Sequence, residues 1–464
     1  MPIKNQVIPK TPVIAVFDIG KTNKKILLFN QQYEVVWEQS IQLEEVRDKD
    51  GFPCENILEL TNWVRDSFWK ISSLKSYQVK AINCAAYGAS FVHLNQYLRP
   101  FLPLYNYLKP YPAALRDGFY AAYGGEQTVA RQTASPVLGS LNSGLQLYRL
   151  QKEEPEIFNE IQYSLHLPQY ISFIFSEQPF SDITSIGCHT SLWNFDTNNY
   201  HEWVSKESIL PKLAPLQASD SVVHRSNELV AIAVGVGLHD SSAALIPYLS
   251  AYNEPFLLLS TGTWCISMNP FNQTALTDDE LDQDCLCYLS YTGKPVKSSR
   301  LFAGYAHEQQ VKRLAAHFHK PDDYYISVTY DTGMIQQLEG IGEDIPATAG
   351  KLKQPAFATR DIRLYDNYEL AYHRLMKDIV EQQFHSTQLV LHNAPVNRIF
   401  VDGGFSKNSL YMHLLAKAFP GLEVHAASVA QASALGAALA IHEHWNTEPY
   451  PDNIISLQQF SFHQ

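Results

Sequence analysis

Val13-Ile14-Ala15-Val16-Phe17 is an unbroken apolar run that stops at the polar segment Asp18-Ile19-Gly20-Lys21-Thr22-Asn23, after which Ile26-Leu27-Leu28-Phe29 resumes. Short apolar runs bounded by turn residues predict buried strands, so this segment predicts a hairpin with a glycine-containing turn. The same grammar returns some 240 residues later. Phe256-Leu257-Leu258-Leu259 is followed by Ser260-Thr261-Gly262-Thr263 and then by Trp264-Cys265-Ile266-Ser267-Met268. Two such units predict an architectural duplication, with each hairpin turn facing the other across a cleft. A third run, Arg398-Ile399-Phe400-Val401, predicts a strand that enters the loop Asp402 to Asn408.

Helical spacing appears elsewhere. Ile57, Leu60, Trp63, Val64, Phe68 and Ile71 recur every three or four residues and predict an amphipathic helix. Leu410, Leu414, Leu415 and Ala418 mark another, and the small residues from Ala432 to Ala438 a third. Small residues let a helix approach a neighbour closely or let backbone approach a ligand. Val79 to Cys84 and Phe91 to Leu94 predict strands around Tyr87-Gly88-Ala89-Ser90. The Tyr- and Pro-rich stretch from Tyr97 to Tyr123 predicts a long ordered loop with short helices, lining a pocket or covering a core.

Composition narrows the class. A chain of 464 residues predicts two or three domains, divided here as 1–249 and 250–464. Hydrophobic residues at 45% and charged residues at 18% fit an ordinary globular protein. A net charge of −12 disfavours extended nucleic-acid binding but leaves room for a small phosphate ligand. The six cysteines are scattered, and Cys285-Leu286-Cys287 lacks a second pair or nearby histidines, so reduced thiols are expected rather than a zinc site. Met1 to Pro12 has no apolar signal region, and no run of about 18 apolar residues occurs. A cytoplasmic protein without a membrane partner is the expectation, as monomer or homodimer.

The three glycine-containing turns carry the candidate chemistry. Glycine lets backbone N–H groups approach a phosphate, and Thr or Ser hydroxyls add donors. Lys21, Lys24 and Lys25 add positive charge at the first turn, and the third lies at a helix start, where the dipole favours an anion or polar nucleotide group. Neither a P-loop nor a dinucleotide fingerprint is present, which disfavours an oxidoreductase. Each turn alone reads as ordinary structure. All three in this order point to a nucleotide cleft.

Two carboxylates stand out. Asp18 ends a buried strand, where it either orders the turn or contacts nucleotide-bound Mg²⁺ through water. Asp240 follows the small, apolar run Ala231 to Leu238 and opens a helix, in Gly237-Leu238-His239-Asp240-Ser241-Ser242. By pattern it is a helix cap; by chemistry it can be the general base that phosphoryl transfer to a hydroxyl requires.

This ordered set resembles the FGGY carbohydrate kinases over roughly Val13 to Ala440. Phe17 to Asn23 and Leu259 to Trp264 resemble the two phosphate segments of that family. Gly237 to Ala244 resembles the catalytic segment, and Val401 to Asn408 with Ala432 to Ala438 the adenosine segment. Within the family, His239-Asp240-Ser241 is similar to the His-Asp-Thr of L-rhamnulokinases, and Asn142 to Leu150 to the interdomain segment of rhamnulokinases and L-fuculokinases. The resemblance implies an α/β fold of two actin-like, ribonuclease-H-type domains with an interdomain ATP and sugar cleft. It implies Asp240 as base, with Gly88, His239 and Ser241 near the sugar. Asp18, Gly20, Lys21, Thr22, Asn23, Lys24, Lys25, Thr261, Gly262, Thr263, Gly403, Gly404, Ser406 and Asn408 would serve ATP, and Asp18 would reach Mg²⁺ through water. The implied reaction is ATP-dependent phosphorylation at O1 of a 6-deoxy-ketohexose such as L-rhamnulose or L-fuculose. Another ketose or polyol, or a non-catalytic ATP or sugar sensor, stands as the alternative.

Overall fold

The computed structural model describes residues 10–227, 230–338, 356–429, 431–451 and 453–461. The part of the polar N-terminal stretch up to Pro9 lies outside the described residues. The chain forms two compact units. Met1–Ala251 is joined in the first unit by Tyr288–Lys294 and Ala430–Ile454; Tyr252–Cys287, Pro295–Val429 and Ile455–Gln464 form the second. The chain first leaves unit 1 after Ala251. Two later segments return to the first unit, among them the small-residue helix that linear division assigns to the C-terminal half.

Each unit is built on one twisted mixed sheet, and the strand order repeats. In unit 1, Val35–Ile41, Lys24–Phe29 and Thr11–Ile19 form an antiparallel meander. Thr11–Ile19 then pairs in parallel with Tyr77–Ala86, which pairs in parallel with Val230–Gly235. In unit 2, Pro295–Leu301, Cys265–Asn269 and Phe256–Thr261 form the meander. Phe256–Thr261 pairs in parallel with Arg398–Gly403, and that strand with Glu423–Ser428. The duplication read from the two hairpins is therefore a duplication of sheet topology.

The apolar runs form these strands because both sheet faces are covered. Val13 to Phe17 are wholly buried, as are Leu257 and Leu259. The predicted amphipathic helix spans Ile57–Ser72, capped by Asn56, whose side chain accepts from the Glu59 N–H. It buries Ile57, Leu60, Trp63, Val64 and Ile71 against the core that holds Val13, Phe17 and Leu28. The Tyr- and Pro-rich stretch contains a single described helix, Ala113–Ala122, whose Phe119 joins Trp203 and Leu145 in a second unit 1 core.

The helix Ala432–Ala440 shows why its residues are small. It packs on the helix Asp240–Ala251, on Thr11–Ile19 and on Tyr77–Ala86. A β-carbon on Gly436 would sit 1.8 Å from the Ala243 carbonyl oxygen, so the two backbones touch there. Asn83 Nδ2 donates to the Ala437 carbonyl at 2.8 Å and pins the crossing. Gly436→Val must force these helices apart. It is expected to destabilise unit 1 by about 1–3 kcal/mol or more, measured by denaturant unfolding, because overpacking a closed contact has that scale.

Candidate functional site

The parallel pairings of Tyr77–Ala86 bring two distant carboxylates to one sheet edge. Ile19 lies opposite Ala86 on one side, and His239 lies opposite the same Ala86 on the other. Asp18 and Asp240 therefore emerge together at the C-terminal ends of parallel strands, where α/β sheets bind their ligands. Leu238–His239 forms a two-residue strand, and Asp240 is the first residue of the helix Asp240–Ala251.

Both carboxylates are held in their protonated form to unusually high pH. Burial raises Asp18 to about 6, the negative charge of Asp240 adds to the rise, and Lys25 opposes it. Asp240 is likewise raised to about 6 by burial, against hydrogen bonds from the Ser241 N–H and hydroxyl. The Ser241 N–H donates to Asp240 Oδ1 at 2.6 Å. The Asp240 side chain is nevertheless 34% exposed. That partial exposure suits a group that must meet a substrate. A carboxylate at about 6 is ionised at neutral pH yet a stronger base than a free aspartate.

His239 is neutral at pH 7, because burial lowers its pKa to about 4. Its ring lies edge-on to Gly88, where an added β-carbon would stand 2.6 Å from Cδ2 and 2.7 Å from Nε2. Gly88 is thus required by the histidine ring. The backbone of His239 is fixed from below: its N–H donates to Thr184 Oγ1 at 3.0 Å, and the Thr184 hydroxyl donates to Asp182. Asp182 caps the helix Ile183–Ile186 and also accepts from Ser219 Oγ at 2.5 Å. Sequence reading passed over Asp182 and Thr184. The Asp-Ile-Thr capping pattern was visible, but its link to His239 depends on tertiary packing.

The first turn is organised differently from the expectation of three lysines facing a phosphate. Lys24 is buried and paired with Glu55 at 3.1 Å, and it donates to the Lys21 carbonyl at 2.9 Å. Glu55 also accepts from Tyr87 Oη at 2.7 Å, so this lysine closes an internal network. Lys21 pairs with Glu45 at 2.8 Å, and Lys25 Nζ donates to Gln431 Oε1 at 3.0 Å while facing Asp18 across the hairpin. Gly20 closes the turn with its N–H on the Asn23 carbonyl; Thr22 and Asn23 are exposed. Tyr107, from the Tyr- and Pro-rich stretch, stands beside Tyr87 with ring centroids 5.9 Å apart and feels the charges of Lys21 and Asp240. That stretch therefore reaches the candidate site.

In unit 2 the second and third turns are stapled together by Thr261. Its hydroxyl donates to the Asp402 carbonyl at 2.5 Å and accepts from the Phe405 N–H at 2.9 Å; its carbonyl accepts from the Gly404 N–H at 2.7 Å. Gly403 has φ +89°, and a β-carbon there would meet the Thr261 carbonyl at 1.9 Å. The Gly403 N–H bonds Asp402, and Ser406 Oγ donates to the Gly403 carbonyl. The N–H groups of 403 to 405 are thus spent within the fold, which corrects the picture of this turn as a bare phosphate cradle. Beside it lies a cleft of about 520 Å³ lined by Gly262, His307, Tyr325, Gly404, Phe405 and Asn408. Asn408 caps the helix Ser409–Ala418 and donates to Tyr372 Oη at 2.7 Å. Its size suits a small organic ligand, and its aromatic lining suits a planar base better than a phosphate chain. Gly262 and Thr263 are exposed at the second turn.

No described helix is long and apolar enough to cross a membrane. The N-terminal domain model of the FGGY family of carbohydrate kinases matches residues 13–246, half of the chain. The FGGY C-terminal domain models match 253–331 and 370–441. Solved structures share the fold over nearly the whole length. A carbohydrate kinase from Novosphingobium aromaticivorans matches at TM-score 0.78 and 21% identity, covering 98% of this chain and 95% of that one. A ligand-bound xylulose kinase from Lactobacillus acidophilus matches at 0.77 and 16%, covering 98% and 94%. A Plasmodium falciparum glycerol kinase with ADP matches at 0.72 and 14%, covering 94% and 90%. These matches extend to the family and its two-domain, actin-like fold and do not single out rhamnulokinases or fuculokinases. With the matched domain models spanning both units, the chain belongs to the FGGY family of carbohydrate kinases and is a sugar kinase of that ATP-dependent family.

Proposed function

We propose that the protein phosphorylates a ketose hydroxyl with ATP, using Asp240 as the general base. The observation that carries this reading is the raised pKa and partly exposed side chain of Asp240 beside Asp18 at the C-terminal end of the sheet. Asp240 takes the proton of the sugar hydroxyl as its oxygen bonds to the γ-phosphorus. The bond from that phosphorus to the β–γ bridging oxygen breaks, and ADP leaves with the electron pair. His239, neutral and fixed by Gly88 and Thr184, offers a hydrogen-bonding ring to the sugar, and Ser241 orients the base.

The nucleotide is assigned to the unit 2 cleft, with its base among Tyr325, Phe405 and Asn408 and its phosphates toward Gly262 and Thr263. Lys21 and Lys25 remain the cations of the first turn available to a phosphate, whereas Lys24 serves Glu55. The buried Asp18 carboxylate, only partly offset by Lys25, is an oxygen donor that fits a hard cation held through water. Mg²⁺ bound there would neutralise charge on the transferring phosphate. For the substrate, the His239-Asp240-Ser241 likeness supports O1 of L-rhamnulose or L-fuculose. The similarity in fold to xylulose kinases supports a pentulose as the second reading.

Asp240→Asn is expected to keep nucleotide binding while turnover falls by about 10² or more, the scale of a lost general base. Near-normal turnover would refute the assignment. The same variant should unfold at a higher temperature than wild type at pH 7. Because burial raises Asp240 from 3.8 to about 6, the folded state holds the extra proton within that window and loses stability as pH rises through it. An uncharged isostere removes that penalty, and an unchanged melting temperature at pH 7 would count against it.

Thr184→Val removes the hydroxyl that links Asp182 to His239 while keeping the side-chain shape. As a positioning residue it is expected to lower kcat by about 10- to 100-fold, the scale of a small misplacement, without changing KM for ATP. Thr184→Ser should restore the rate. A coupled ADP-release screen over L-rhamnulose, L-fuculose, L- and D-xylulose, L- and D-ribulose and glycerol identifies the acceptor. A 6-deoxy-ketohexose is expected to give the highest kcat/KM, and no sugar-dependent ADP release from any would contradict the proposed acceptor class.

A further inference from the structure

Beside the catalytic carboxylate, His239 meets two further metal-ligating side chains, Cys188 and His189, to which the kinase reaction gives no role. The loop after the helix Ile183–Ile186 carries Cys188 and His189, and their ligand atoms and that of His239 all lie within 4.8 Å of one another. Cys188 Sγ stands 3.6 Å from His239 Nε2, and the same Nε2 stands 3.5 Å from Asp240 Oδ1. Zinc bonds of about 2.3 Å to sulfur and about 2.0–2.2 Å to nitrogen or oxygen give a tetrahedron with edges of roughly 3.3–3.6 Å. The Cys188–His239 spacing is therefore that of one edge of a zinc tetrahedron, present where the sulfur and the ring nitrogen share a hydrogen bond. The rings of His189 and His239 stand nearly perpendicular, at 88° with centroids 6.4 Å apart.

The loop is also set in advance. His189 holds a positive φ of 40°, a conformation that costs energy in a side-chain-bearing residue. Asn142 Nδ2 secures its carbonyl at 2.8 Å, Thr190 Oγ1 donates to the Ile186 carbonyl at 2.5 Å, and the Ser191 N–H bonds Ser135 Oγ at 3.1 Å. These bonds fix Cys188 and His189 toward His239 before any ligand arrives. One thiolate and two imidazoles form a borderline-soft donor set, which selects zinc-class ions and disfavours Mg²⁺ or Ca²⁺.

We propose that Cys188, His189 and His239 form a binding site for zinc-class divalent cations, and that occupancy switches the kinase off. Binding releases the Cys188 thiol proton as the Sγ–metal bond forms. It takes up the His239 ring proposed to meet the sugar and sets a dication beside Asp240, whose Oδ1 lies 3.5 Å from His239 Nε2, which makes that carboxylate a weaker base. The inhibition rests on Asp240 being the base; the binding does not.

Chelator-treated wild-type protein is titrated with Co²⁺, whose thiolate charge-transfer band in the near ultraviolet and d–d bands in the visible report tetrahedral sulfur ligation without any turnover. Both sets of bands are expected and should vanish on adding Zn²⁺. In parallel, Zn²⁺ is expected to inhibit sugar-dependent ADP release, with recovery on adding chelator. Cys188→Ser should lose the charge-transfer band, and it and His189→Asn should each keep basal turnover while needing at least about tenfold more Zn²⁺ for inhibition, as loss of one ligand implies. Absence of the cobalt–thiolate band in wild type overturns the site, whatever the variants do. Cobalt binding with undiminished turnover, or Zn²⁺ inhibition unchanged in both variants, overturns the switch. A protein that binds cobalt but phosphorylates no sugar refutes the kinase mechanism and leaves the metal site standing.

Discussion

The strand Tyr77–Ala86 is the constraint on which the site depends. Its residue Ala86 is flanked by Ile19 on one side and His239 on the other, although these neighbours are 220 positions apart in sequence. Parallel pairing in register fixes where both flanking strands end, and so fixes where Asp18 and Asp240 leave the sheet. A slip of one residue on either side would turn a carboxylate to the opposite face. The helix Ala432–Ala440 reinforces the arrangement, because its glycine contact holds the Asp240 helix against this strand and its neighbour.

The energetic character of the site follows from that placement. Two carboxylates enclosed at one edge cost solvation and repel each other, and Lys25 offsets the cost only in part. A protein selected for stability alone would place a neutral residue at one of these positions. The surrounding structure sustains the strain by fixing His239 through Thr184 and Asp182 and by surrounding the pair with closed cores. The third turn in unit 2 is the opposite case: its donors are satisfied internally by Thr261 and Asp402, leaving the cleft beside it to aromatic and amide side chains.

Much of this was legible in the sequence because its signals are local. Apolar runs such as Val13 to Phe17 and Phe256 to Leu259 mark strands by composition, and the Ile57 to Ile71 spacing marks a helix by period. The repeated hairpin grammar announced a duplicated topology, and the position of Asp240 at a helix start was readable from its flanks. What the sequence could not display are couplings set by tertiary packing. Lys24 carries the same charge as Lys21 and Lys25, yet its strand register turns it inward to Glu55. Thr184 reaches His239 across 55 residues, and Cys188 meets it across 51. The small residues of 432–440 suggested close approach, but only the folded chain identifies the partner as the Asp240 helix in unit 1.

Asp240, partly exposed and raised to about 6, is proposed as the base that removes the sugar proton. The pH dependence of kcat/KM for the acceptor sugar, at saturating ATP, tests it most directly, since that quantity reports ionisations of the enzyme form that meets the sugar. With Asp240 and Asp18 both raised to about 6, activity should rise with pH through an apparent midpoint near 6 and then level off. The midpoint belongs to the coupled pair rather than to either residue. A profile that stays flat down to about pH 4, where an ordinary carboxylate titrates, would contradict the account.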